Sequence, residues 1–245
     1  MAKAAPAEQL KLLDLQALDA RLKALANKRR VLDGDPRITD LNHALAVARG
    51  ELSTATLAVQ DAEAELKRSE LDVEQVAARI ARDEARLNSG TGLSKDLVAL
   101  QSDIASLNRR RSDLEDIELE ILERLDGLRE KQATQQKITD DIQQSFSVIR
   151  AELDQAISEV AQEEKAIAAE REAFASGLDQ GMLAVYEKTL ARRGVGAARL
   201  FHGKSEGSGM TLSPGDLAEI KAAAEDDIVF CPDSGCILVR SAEWN

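Results

Sequence analysis

The chain has 245 residues, 31% of them charged and only 2% aromatic, and its formal net charge is −12. Aromatic side chains normally fill globular cores, so most of this chain builds no core of that kind. A polyanionic ligand needs a basic surface, so the charge argues against general binding to nucleic acid or anionic membrane and leaves room only for a local basic patch.

No apolar run reaches the length of a membrane span, the first fifteen residues hold no signal-peptide core, and Cys231 and Cys236 are too few for a disulfide framework. These features read as a soluble cytoplasmic protein with no membrane partner. Five of the six aromatics follow residue 173, nine of the fourteen glycines lie at or after Gly177, and no proline falls between Pro36 and Pro214. The chain therefore divides into a long helical part and a small, turn-rich part.

The first predicted helix covers about residues 7–32, with Leu15, Leu18, Leu22, Leu25 and Leu32 at heptad spacing and Arg29 in one polar slot. Asp33-Gly34-Asp35-Pro36 interrupts it, since Gly suits a helix C-terminus and Pro the first position of the next helix. From Ile38 to Leu87, fifteen positions succeed one another at intervals of three and four, and thirteen of them are apolar; Ser69 and Asp83 are the exceptions. That periodicity is a coiled-coil seam, which needs a partner helix to bury it. Asn88-Ser89-Gly90-Thr91-Gly92 is a tight turn, and Ser94 is expected to cap the next helix.

The third predicted helix runs from about 94 to 175. Its seam passes through Leu93, Leu97, Leu100, Ile104, Leu107, Leu114, Ile121, Leu125 and Leu128, weakens at Gln132, Gln135 and Thr139, and resumes from Ile142 to Phe174. The weak stretch reads as solvated seam with no role. The first two helices together (7–88) and the third (94–175) are equal in length, which predicts one antiparallel hairpin with a kinked arm (near 33–36), a continuous arm and a tip at 88–93. Polar seam residues such as Ser69, Asp83 and Arg111 would set register.

After Gly177 the pattern changes. Met182 to Arg193 reads as a short helix, Ala197 to His202 as a strand, Lys204 to Gly209 as a turn, and Pro214 to Ala224 as a helix capped by Ser213. Ile228 to Cys231 and Ile237 to Arg240 form a predicted β-hairpin around Pro232-Asp233-Ser234-Gly235. The fold class is mainly α: a long antiparallel coiled-coil hairpin (1–176) with a small C-terminal α+β domain (177–245).

This order, together with Gly92-Leu93-Ser94-Lys95-Asp96-Leu97-Val98-Ala99-Leu100-Gln101 after the tip, Val185-Tyr186-Glu187, Thr211-Leu212-Ser213-Pro214 and the run from Cys231 to Arg240, resembles the bacterial four-cysteine zinc-ribbon coiled-coil family. The resemblance implies a zinc-ribbon-like C-terminal domain whose ligand positions fall on Ser205, Ser208, Cys231 and Ser234. Thiolates at Cys-x-x-Cys spacing let one turn present two sulfurs to a tetrahedral ion, and serine is a poor substitute. The ribbon is therefore expected to be degenerate, to hold no cofactor, and to rely on a small core including Phe201, Phe230, Leu212, Leu217, Ile220, Ile228, Ile237 and Trp244. Two other arrangements remain open: zinc on Cys231, Cys236, His202 and a carboxylate such as Asp233, and a redox pair or disulfide between Cys231 and Cys236.

No phosphate-binding glycine loop or Gly-x-Ser-x-Gly occurs, His43 lies on a coiled-coil flank, and helix rods build no concave pocket, so the expectation is a non-enzyme. It is an adaptor or scaffold presenting its arm and ribbon to protein partners, with Leu93 and Leu97 at the tip as candidate contacts. The alternative is a nucleic-acid-binding module, with Lys28, Arg29, Arg30, Arg192 and Arg193 as candidate phosphate contacts. The same cations read more simply as salt-bridged, solvated faces.

Overall fold

The computed structural model describes residues 3–241 and Trp244. Five helices, α1 (Pro6–Asp33), α2 (Pro36–Asn88), α3 (Ser94–Ser176), α4 (Gln180–Arg193) and α5 (Pro214–Ala222), accompany four strands, β1 (Ala197–Phe201), β2 (Lys204–Ser205), β3 (Val229–Phe230) and β4 (Ile237–Arg240). The long helices form the coiled-coil hairpin and the strands a small C-terminal sheet. The chain divides into two compact units, one of Met1–Asp35 with Glu152–Asn245 and one of Pro36–Ala151. No helix among the described residues is long and apolar enough to cross a membrane.

In the second unit α2 packs on the first part of α3. All fifteen seam positions from Ile38 to Leu87 are buried or half-buried, and Val59, Ala62 and Leu125 form a cluster with Leu66 and Leu128. Exposed pairs such as Arg129–Glu63 at 2.8 Å flank this seam and contribute little on their own. The polar stretch of α3 is not solvated, contrary to expectation. Thr139 is buried, and the Gln132 and Gln135 amides donate across the seam to Thr56 Oγ1 (3.1 Å) and the Ala48 carbonyl (3.2 Å). Burying an amide is tolerable only when it is hydrogen-bonded, and these bonds fix one pairing of the two helices.

The tip turn uses Gly90 at φ 65 and Gly92 at φ 150, conformations that suit glycine. Ser94 does not cap α3: the helix already includes it, and the Leu93 carbonyl accepts from the Asp96 and Leu97 amides.

In the first unit α1 packs on the last part of α3 through Leu18, Leu25, Val160 and Ile167. The sheet has the order β2-β1-β4-β3, with β1 and β4 parallel (Ala197 opposite Ile237) and the other pairs antiparallel. Alternation along the strands gives it two buried faces. Ala197, Ile237 and Val239 face Leu12 and Leu15 of α1 and Met182 and Tyr186 of α4. Ala198, Leu200 and Leu238 join Leu212, Ile220, Cys231 and Cys236 on the other face. Arg240 ends β4 and donates to the carbonyls of Ile220, Ala223, Ala224, Glu225 and Asp227, which closes the loop after α5.

A polar network ties α1 to α4 and β1. The Tyr186 hydroxyl donates to Asp19 Oδ2 at 2.7 Å, and Asp19 also accepts a two-pronged bond from Arg171 at 2.7 and 3.2 Å. Burial and the adjacent Asp19 carboxylate push the Tyr186 phenol well above its ordinary range, so the hydroxyl stays a donor. Gln16 Oε1 accepts from the Gly196 and Ala197 amides at 2.7 and 3.2 Å. The chain passes so close to the ring that a side-chain carbon at Gly196 would lie 2.3 Å from Tyr186.

Candidate functional site

Two turns of the ribbon have the same backbone. In one, Ser205 N donates to the Met210 carbonyl at 2.9 Å and Gly209 N to the Ser205 carbonyl at 2.8 Å; in the other, Cys231 N donates to the Cys236 carbonyl and Gly235 N to the Cys231 carbonyl, both at 2.8 Å. Gly209 and Gly235 share a φ of 71. In each turn the residues at the first and fourth places, Ser205 and Ser208 or Cys231 and Ser234, are those that could face a common centre. Ser208 Oγ lies 3.9 Å from Cys231 Sγ, and Ser234 Oγ donates to Cys236 Sγ at 3.1 Å. Ser205 is fully buried. Gly207 passes so near that a side-chain carbon there would sit 2.7 Å from Cys236 Sγ.

Comparison with known proteins places this geometry. The family model of the CT398-like coiled coil hairpin domain matches residues 15–194, and that of the C4-type zinc ribbon domain matches residues 204–238. The chain belongs to the CT398-like coiled-coil hairpin family. An uncharacterized protein of Mycobacterium tuberculosis is 32% identical over 238 residues, covering 97% of each chain. An uncharacterized protein of Mycobacterium leprae is 24% identical over 223 residues, covering 91% of this chain and 96% of that one. A solved Mycobacterium smegmatis structure superposes with a TM-score of 0.85 at 29% identity, covering 98% of this chain and all of the other. CT398 from Chlamydia trachomatis shares the fold, with a TM-score of 0.63 at 16% identity over 96% of this chain and 98% of its own. None of these names states a reaction.

The two matching turns, or knuckles, lie within the stretch that the ribbon model covers, and at the ligand positions that the resemblance implies they offer one thiol and three hydroxyls. Structural zinc in a C4 ribbon takes four thiolates, and the residues present here do not fit that ion. The alternative set does not assemble either. Among the described residues no group of three or more His, Cys, Asp or Glu side chains is placed to hold a metal. His202 is exposed in a turn with its ring against Phe201, and Asp233 is exposed. Cys231 and Cys236 are both free and buried.

The hydroxyls act on the thiol instead. Burial pushes the Cys231 thiol up, but the Ser205 hydroxyl, the Ser234 amide and hydroxyl and the Asp233 amide favour the thiolate and bring it from 9.0 to about 7. The native protein then gives up this proton before the unfolded chain does, so Cys231 adds stability as pH rises from about 7 to 9 and loses it on the way down. Cys236, pushed up by burial, acts in the opposite sense above its ordinary value. Cys231→Ser is expected to remove a rise of up to about 2–3 kcal/mol across that window. Urea midpoints at its two ends measure this, and a parent profile as flat as the variant's would refute the thiolate.

Beside the second knuckle lies an open cleft of about 490 Å³ between α4 and β3. Val185, Lys188, Thr189 and Arg192 share one face of α4 at helical spacing. Arg193 lies over the knuckle, its Nε 2.8 Å from where a side-chain carbon at Gly235 would be. Phe230, expected in the core, is instead 48% exposed and lines this cleft, because its neighbours Ile228 and Cys231 fill the buried places.

Arg192 and Arg193 therefore sit at the ribbon, as read from the sequence, together with Phe230, which the sequence assigned to the core, and Lys188, which it did not single out. Lys28, Arg29 and Arg30 are exposed on α1, where Arg29 pairs with Glu164 at 2.7 Å; none of them lines the cleft. In the other unit Leu93 is 74% exposed and Leu97 half-buried.

Proposed function

We propose that the protein is a non-enzymatic adaptor that offers its ribbon and coiled-coil arm to protein partners, without a bound metal. A hairpin-plus-ribbon architecture fits a structural or adaptor role. The observation that carries the reading is the cleft beside the second knuckle, where a large aromatic stays half-exposed among cations that have no carboxylate partner among the described residues. An exposed apolar group rimmed by polar ones is how a monomer marks a docking place. Leu93 at the tip is a second exposed apolar residue. The same cations give nucleic-acid binding as a second reading.

Photo-crosslinking side chains placed at Phe230 and at Leu93 of the full-length protein test this. Adducts destroyed by protease and resistant to nuclease are expected. Nuclease-sensitive adducts at both positions would replace the adaptor reading with the nucleic-acid one.

A further inference from the structure

The adaptor reading leaves the chemistry of the partner open, and the cleft narrows it. Lys188, Arg192 and Arg193 rim a recess floored by Val185, Ile228 and Phe230, and no carboxylate among the described residues lines it. The chain as a whole carries −12, so three cations gathered around one recess without ion pairs among the described residues stand against the prevailing charge. Helix-terminus electrostatics accounts for part of this, because cations in a last turn offset the exposed carbonyls. It accounts for Arg192 and Arg193, which occupy the last turn of α4, but neither for Lys188 a turn earlier nor for a half-exposed phenylalanine between them.

We propose that this cleft binds an acidic segment of a partner protein that inserts one apolar side chain against Phe230 while its carboxylates meet Lys188, Arg192 and Arg193. The proposal rests on the adaptor reading and supplies the partner's chemistry. The volume is at the lower end of those that enclose small ligands, which suits one side chain and its flanking backbone. Arginine forks take carboxylates in two-pronged fashion, and a central apolar anchor within a polar rim is how such contacts concentrate their energy. Nucleic acid fits less well. A polynucleotide needs cations along several successive phosphates, and beyond this one recess it would face a strongly acidic molecule.

The test uses the full-length protein and fluorescence anisotropy with three labelled probes: a peptide of Glu and Asp around one central Phe, the same peptide with Ala in place of Phe, and a single-stranded RNA of mixed sequence. The Phe peptide is expected to bind about ten-fold more tightly than the Ala peptide, and Lys188→Glu with Arg192→Glu to weaken it by about ten-fold or more. Both substituted residues are exposed on α4, and an unchanged melting curve confirms the fold. Phe230→Leu keeps an apolar floor without a flat π face, so it retains peptide binding but weakens any base stacking.

Equal affinity for the two peptides, indifference to the charge reversal, or RNA binding that outcompetes the Phe peptide and drops in Phe230→Leu would each overturn the proposal. Its failure is separable from failure of the adaptor reading. Protease-sensitive crosslinks at Phe230 with no binding of the Phe peptide would remove the acidic-segment assignment and leave the adaptor standing.

Discussion

Ser205→Cys, Ser208→Cys and Ser234→Cys combined are expected to give the full-length protein one zinc ion per chain, where the parent is expected to carry none. The turns need no rebuilding, because both have the same two amide-to-carbonyl bonds and the same left-handed glycine. Four sulfurs about 2.3 Å from a tetrahedral ion stand about 3.8 Å apart, and Ser208 Oγ is already 3.9 Å from Cys231 Sγ. Metal binding requires thiolates, and Cys231 already ionises near pH 7. The new sulfur at 234 would have to turn away from Cys236, to which the present hydroxyl donates at 3.1 Å.

Structural zinc sites are worth about 10–16 kcal/mol in apparent binding energy. With free zinc at about a thousand times the dissociation constant, the folded state gains about 4 kcal/mol by mass action. Elemental analysis and unfolding with and without a chelator read this out. A triple variant that takes up no zinc would show that the cage has lost its geometry along with its thiols. Stoichiometric zinc in the parent would overturn the argument from its donor set.

The second large effect is expected at Tyr186. Tyr186→Ala removes a fully buried ring that touches α1, α4 and β1 and should cost about 3–5 kcal/mol. Tyr186→Phe keeps the ring and deletes only the hydroxyl, with its bonds to Asp19 and Gln16, so about 1–3 kcal/mol is expected. Asp19→Ala should fall between the two, at about 2–3 kcal/mol, because it takes the acceptor from the Tyr186 hydroxyl and the two-pronged partner from Arg171, which keeps Glu187. Val31→Ala, at a side chain 70% exposed, serves as the control at about 0.5 kcal/mol or less. Urea unfolding measures all four. If Tyr186→Phe proved as costly as Tyr186→Ala, the hydroxyl network rather than the ring would be the main support.

The hairpin was legible because its information is local. A spacing of three and four declares which side chains face a partner helix, and every position so marked between Ile38 and Leu87 is sheltered. Gln132 and Gln135 were misjudged because periodicity registers polarity and cannot see that Thr56 and the Ala48 carbonyl stand opposite. The ribbon's strands were legible for a similar local reason, from β-branched runs and a Pro-Asp-Ser-Gly turn. Their arrangement was not, since the parallel pairing of Ala197 with Ile237 joins residues far apart in the chain.

The same limit applies to the candidate site. Family resemblance located Ser205, Ser208 and Ser234, but nothing local distinguishes a phenylalanine in the core from one on its edge. Phe230 could be identified as a cleft residue only once Ile228 and Cys231 were seen to take the interior. Lys188 escaped notice because its meaning depends on β3, which comes some forty residues later.

The make-up of the first unit constrains the order in which the molecule can assemble as it leaves the ribosome. Residues 36–151 form a contiguous unit and can close on themselves once synthesised. The first thirty-five residues cannot, because their partners are made much later: Gln16 binds the amide of Gly196, and Leu12 and Leu15 bury against Ile237 and Val239. Until α4 and the sheet are made, the leucine stripe of α1 has only the late part of α3 to cover it. Such uncovered apolar surface is what chaperones bind and what drives aggregation. A nascent chain stalled before the late part of α3 is therefore the species in which protease sensitivity at α1 should be greatest, and one stalled just before β4 should keep part of that sensitivity around Leu12 and Leu15.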